Sequence, residues 1–159
     1  MMTETLPDKN LPWPILWEGV EEIARSEGCR LQAYQDIAGV WTIGWGETQG
    51  VQADGQWTQG EADRNLCTRL NWFAGHVRRL LKIKTSPRQF AALVSLAYNI
   101  GVNAFAGSSV LRYHNTGDFD AAAATFALWN KARIKGSLQP VAGLTSRRAR
   151  EADLYREGI

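Results

Sequence analysis

Cysteine, histidine and methionine each occur only twice in this 159-residue chain. Cys29 and Cys67 are too few for a disulfide framework and lack the paired spacing of a zinc site, so buried free thiols are expected. His76 and His114 stand far apart, which offers neither a metal pair nor a histidine-based catalytic site. Net charge is also scarce: 18 Lys+Arg against 16 Asp+Glu leave a formal +2, too little for a nucleic-acid footprint over the whole surface. Long apolar runs are missing, and nothing approaches the roughly 20 residues that cross a bilayer. The opening MMTETLPDKNLPWPILW carries acids where a secretory leader needs base, and prolines where its apolar stretch should be smooth, so no export signal is expected. What is present is a 45% hydrophobic composition, enough for one globular unit, or two small lobes sharing a core, that folds without metals or disulfides.

Local patterns divide the chain. Residues 1–14 hold Pro7, Pro12 and Pro14 and read as an extended lead-in. Leu16, Trp17, Val20, Ile23 and Ala24 then recur at helical spacing until Gly28, which favours a helix stop and leaves Glu27 at the C-terminal end. From Leu31 to Trp57, aromatic and β-branched residues punctuated by glycines predict a small antiparallel sheet, with a turn at Ala53-Asp54-Gly55. Thr58 and Glu61 form a capping box ahead of a long helix. Ser86-Pro87 with Gln89 starts another, apolar nearly all round and closed by Gly101. Shorter helices are expected at about 108–115, 118–129 and 146–157, with 131–143 a loop, so everything after the sheet reads as helical. The fold class is α+β: a small sheet lobe and a helical lobe joined by a long helix, with a binding cleft between them. Two basic groups, Arg147, Arg148, Arg150 and Arg156, and Arg78, Arg79, Lys82 and Lys84, read either as solvated helix faces or as attraction for an anionic polymer.

Acid–base cleavage of an acetal needs a protonated carboxyl beside the leaving oxygen and a second, ionised carboxylate. Glu27, at the negative end of a helix dipole, is disfavoured as an anion and suits the acid. Asp36 lies in a polar turn, where backbone N–H groups and solvent can hold it ionised. Unlike environments let two carboxylates divide the roles. A Glu nine residues before an Asp also arises by chance, so the spacing alone decides nothing.

The surrounding string is more specific. Glu27, Asp36 and Thr42 sit within a helix–hairpin boundary that runs on to Thr42-Ile43-Gly44-Trp45-Gly46, and this resembles the phage-type lysozymes, the family of the T4 and P22 endolysins. Residues 89–101, then Trp129-Asn130-Lys131, then Gly143-Leu144-Thr145-Ser146-Arg147-Arg148-Ala149-Arg150-Glu151 are similar to that family's C-terminal lobe, so the likeness covers about 18–158. Two departures stand out. Ala132–Val141 has little counterpart, and the lead-in lacks the membrane-inserting signal anchor of some members.

The resemblance implies one lysozyme-like domain over residues 1–159. Its α/β lobe would span about 15–70 and its helical lobe about 71–159, with the first helix packed on the latter. It implies hydrolysis of the β-1,4 link from N-acetylmuramic acid to N-acetylglucosamine in peptidoglycan, with no cofactor and no metal. Glu27 would donate the proton, while Asp36 and Thr42 position the attacking water with inversion, a scheme needing carboxyls roughly 6.5–9.5 Å apart. Arg147 would pair with Glu27 and oppose the helix dipole. Gly46, Tyr98, Asn99 and Ser108 match positions near the substrate, although Tyr98 also reads as core and Asn99 as a helix-end cap. Trp41 and Trp45 read as core beneath the sheet rather than sugar platforms. A monomer made in a host cytoplasm and reaching the periplasmic wall through a separately made membrane hole, without stable membrane association or nucleic acid, is the expected setting. A virion-associated or secreted wall-degrading effector and a non-catalytic wall-binding module are the alternatives. A nucleic-acid binder lacks a recognition-helix motif.

Overall fold

A computed structural model describes residues 5–159; the first four residues of the expected lead-in lie outside the described residues. From residue 5 the lead-in is irregular and pinned rather than free. Leu6, Trp13 and Leu16 pack on the core, and the Asp8 amide donates to Asp63 Oδ2 at 3.0 Å.

Helix α1 (Trp17–Glu27) buries Gly19, Val20, Ile23 and Ala24, and ends at Gly28, whose φ of 69° only glycine adopts cheaply. Gly19 is there for contact: a Cβ would lie 3.0 Å from Ala91 Cβ and 2.8 Å from Ile15. Strands β1 (Arg30–Gln35) and β2 (Trp41–Gly44) pair antiparallel, with Tyr34 opposite Thr42 and an irregularity between Arg30 and Tyr34. The predicted sheet is thus one hairpin extended by isolated bridges, Gln32 to Gln56 and Ile43 to Glu47.

The Thr58–Glu61 capping box opens α2 (Gln59–Leu80), which buries Ala62, Leu66, Leu70, Ala74 and Val77 at spacings of four and three. At 1.5 Å per residue this helix is about 33 Å long, enough to serve both lobes. The Ser86–Gln89 box opens α3 (Pro87–Ile100), buried continuously from Ala91 to Tyr98 and closed by Gly101 at φ 91°. Three helices, α1, α2 and the C-terminal α7 (Ala142–Glu157), surround it, which is why its sequence shows no polar face.

Four short segments follow: α4 (Val102–Ala106), α5 (Ser109–Asn115), α6 (Phe119–Thr125) and a 3₁₀ turn at Phe126–Leu128. The expectation that 131–143 is a loop, and that all is helical after the sheet, is corrected here. Strands β3 (Lys131–Ile134) and β4 (Ser137–Pro140) form a second hairpin, turned by Lys135 at φ 49° and Gly136 at φ 84°. Its residues are exposed on both faces save for Ala132, so it lacks the one-sided apolar alternation that marks a strand. Helix α7 (Ala142–Glu157) begins four residues before the expected Ser146. The fold is α+β.

Candidate active site

The C-terminal turn of α1, the segment after β2 and the middle of α7 meet at Glu27. Its side chain is 26% exposed, and Arg147 Nη1 lies 3.4 Å from Oε1. On the other side stands Gly46 at φ 95°, where an added Cβ would lie 2.9 Å from Glu27 Oε2. Glycine is required there twice over, by the backbone and by the carboxylate.

Arg147 holds Glu27 loosely because it is committed elsewhere. Its Nε donates to Glu151 Oε1 at 3.0 Å and its Nη2 to the Ser95 carbonyl at 3.2 Å. Glu151 is fully buried, accepts also from Ser95 Oγ at 2.7 Å and from Arg148 Nη2 at 3.1 Å, and stands 2.8 Å from Arg148 Nε in an ion pair that is not an aligned hydrogen bond. Reading Arg147 and Arg148 as part of a solvated or polymer-attracting face is therefore corrected: both are buried around one acid, while Arg150 and Arg156 of the same group are exposed.

Asp36 and Thr42 belong to the first hairpin. In the turn, Asp36 Oδ1 accepts from the amides of Ala38 at 2.8 Å and Val40 at 2.9 Å, the Asx geometry that its sequence favours. Among the described residues its Oδ2 takes no hydrogen bond. Thr42 is 4% exposed and its Oγ1 donates to the Val40 carbonyl at 3.0 Å, so one hairpin turn fixes both side chains.

Of the further candidates, Tyr98 is buried at the meeting of the lobes. Its hydroxyl donates to the Trp45 carbonyl at 3.1 Å and accepts from Arg69 Nη1 at 2.6 Å. Burial pushes the phenol well above its ordinary value; Arg69 and Arg147 oppose this, and the charges of Glu27 and Glu47 add to it. Asn99 is exposed on the last turn of α3. Ser108 is buried and caps α5, its Oγ accepting from the Leu111 amide and donating to the Phe105 carbonyl. It lines a separate concavity of about 650 Å³ with Leu80, Lys82 and Asn115. Trp45 is core, as expected, while Trp41 is half-buried.

Sequence reasoning missed Glu47, Asn65 and Arg69. Burial pushes the Glu47 carboxyl up, but Asn65 Nδ2 at 3.0 Å, the amides of Gln49 and Thr48 at 2.9 Å each, and Arg69 Nε at 3.4 Å outweigh it and hold Glu47 below its ordinary range. The signal available was an acid directly after Gly46, where a buried carboxylate needs partners. These residues border a groove of about 540 Å³ between the lobes, with Phe73, Gly101 and Val102 on its other side.

A sequence profile described as "Phage lysozyme" matches residues 24–151. The chain belongs to the phage lysozyme family. It is similar to the endolysin of Salmonella phage P22, 38% identical over 142 residues, covering 86% of this chain and 94% of that one. Among solved structures, the endolysin of Escherichia coli O157:H7 phage FAHEc1 superposes with a TM-score of 0.85 at 33% identity, covering 93% of this chain and 96% of that one. The muramidase domain of SpmX from Asticaccaulis excentricus gives 0.83 at 37% identity, covering 90% and 97%. As a phage lysozyme of the endolysin type, the chain is a lysozyme hydrolase with peptidoglycan as its substrate, acting on the cell wall. Among its described residues no helix is long and apolar enough to cross a membrane.

Proposed function

We propose that this phage lysozyme hydrolyses the β-1,4 bond from N-acetylmuramic acid to N-acetylglucosamine with inversion, and that Glu27 is the proton donor. The observation that carries this reading is the partly exposed Glu27 carboxyl pinned between Gly46 and an arginine whose other nitrogens are already spent. Such a guanidinium orients the carboxyl without enclosing it, and leaves one side open to a glycosidic oxygen. The free Oδ2 of Asp36 and the lone pairs of Thr42 Oγ1 accept from the attacking water, which enters from the opposite face of the sugar ring. Gly46 and Asn99 are proposed to line the path of the strand. Tyr98 and Ser108, whose hydroxyls are hydrogen-bonded within the protein, are proposed to shape it through packing. The enzyme acts as a monomer on glycan strands, without nucleic acid.

Glu27→Gln keeps the shape and removes the proton. Clearing of a purified peptidoglycan suspension is expected to fall by at least a hundredfold, in line with the loss of general acid catalysis, with wall binding intact. Equal clearing by variant and parent rejects the assignment. The first-formed anomer of the product reports the stereochemistry: a retained β-anomer contradicts inversion.

We also propose synthesis in the host cytoplasm and passage to the periplasmic wall through a separately made membrane hole. Expression alone is expected to leave a culture turbid until its inner membrane is permeabilised. Lysis on expression alone counts against this route.

A further inference from the structure

The groove beside the candidate acid has features that the cleavage chemistry does not use. Trp72, on the exposed side of α2, is 55% exposed, the most open of the tryptophans that face it or the core. The His76 ring packs against the indole at 4.1 Å between centroids, inclined by 48°, and Phe73 meets it edge-on at 5.0 Å. The indole is thus braced by its own helix while it lines the groove. Thr48 and Gln49, from the sheet lobe, stand along the same groove.

Asn65 supplies a second, independent observation. Its Nδ2 is spent on Glu47, but its Oδ1 is buried without a hydrogen-bond partner. A buried acceptor left without a donor costs free energy, so it is suited to a ligand N–H or O–H. Charge narrows the ligand. Arg69 and Glu47 pair at 3.4 Å within the groove wall, which leaves no net cation there for the carboxylates of a wall peptide. Hydroxyl, carboxamide and an open indole together match an uncharged ring with an apolar face and hydrogen-bonding edges.

The groove also lies close to the candidate acid through the residues that line it. Glu47 follows Gly46, which touches Glu27, and Phe73 packs on Tyr98 at 5.0 Å between ring centroids. Two contacts thus separate the groove wall from the Glu27 carboxyl, a span that a glycan strand of several rings covers.

We propose that Trp72 and Asn65 form a subsite for one N-acetylated sugar ring of the glycan strand, outside the two rings whose link is cleaved. The ring stacks on the indole, and its acetamido N–H or a hydroxyl donates to Asn65 Oδ1. This inference rests on the proposed function and deepens it by setting how long a strand the enzyme grips.

The test uses the full chain carrying Glu27→Gln, so that bound strands stay intact, and calorimetric titration with peptide-free glycan fragments of two lengths, a disaccharide and a hexasaccharide. Adding Trp72→Ala is expected to weaken hexasaccharide binding about tenfold, the scale of one ring stacked on an aromatic side chain, while disaccharide binding stays the same. Trp72→Phe is expected to restore most of the loss. Unchanged hexasaccharide binding overturns the subsite, and so does an equal loss at both lengths, which would mark Trp72 as support for the fold. Tight binding of the free wall peptide that Trp72→Ala abolishes overturns the sugar assignment. The clearing assay separates the two levels: a parent chain that clears peptidoglycan while Trp72→Ala binds normally removes the subsite alone, whereas a parent that neither clears nor binds removes the proposed function as well.

Discussion

At Gly46 two constraints coincide in one residue, and they can be separated by experiment. Alanine there must adopt a φ of 95° and place its Cβ 2.9 Å from Glu27 Oε2. Gly50 has a comparable φ of 68° but open space around it. Both substitutions are expected to cost about 1–3 kcal/mol of stability through backbone strain. Only Gly46→Ala is expected to lower kcat for peptidoglycan, by roughly tenfold to a hundredfold, because it displaces the carboxyl. Parallel turnover and thermal-melting measurements on the two variants check this; equal kcat values would show that Gly46 matters for the backbone alone. The sequence made Glu27 and Gly46 candidates through the string they share. The partnership with Glu47, Asn65 and Arg69 was not legible, because an acid and its partners 18 or more residues away leave no local pattern.

Elements were readable where short-range chemistry sets them. The Thr58–Glu61 and Ser86–Gln89 boxes and the glycines at 28 and 101 fall where the sequence marks helix ends, since each satisfies backbone groups within a few residues. The second hairpin was unreadable for the converse reason: Lys131–Ile134 and Ser137–Pro140 have no buried face to impose alternation, and Pro140 argues against a strand. The start of α7 was missed because no side chain caps it and Gly143 lies in its first turn. What fixes α7 is tertiary: a single buried acid shared by Arg147, Arg148 and Ser95. Replacing Glu151 with leucine strands two buried guanidiniums, and the expected loss is about 3–5 kcal/mol, a fall in Tm on the order of 10 °C for a chain of this size. A variant melting within 2–3 °C of the parent, roughly what 1 kcal/mol gives, would mean that the helix is held by its apolar contacts instead.

For the molecule as a whole, one buried base links folding to acidity. His114 accepts or donates within a closed set, its Nδ1 2.6 Å from Tyr155 Oη and its Nε2 2.8 Å from Thr85 Oγ1. Burial holds its pKa below the ordinary 6.5. The unfolded chain then binds a proton that the folded one refuses, so the contribution of His114 is complete above about pH 6.5 and is lost as pH falls below it. Thermal melts between pH 7.5 and 5 are expected to show the parent losing stability by at most about 1.4 kcal/mol per pH unit from this group. His114→Asn, less stable throughout, is expected to lose less over the same range. Parallel profiles would remove His114 as the cause.

The ion pair between Glu27 and Arg147 joins positions 120 residues apart. During translation, therefore, the carboxyl emerges 120 residues ahead of the guanidinium that stands beside it. A ribosome that stalls, or a protease that trims the chain ahead of α7, releases a fragment lacking that partner. The proposed proton donor and the guanidinium beside it thus come together only once α7 has been made.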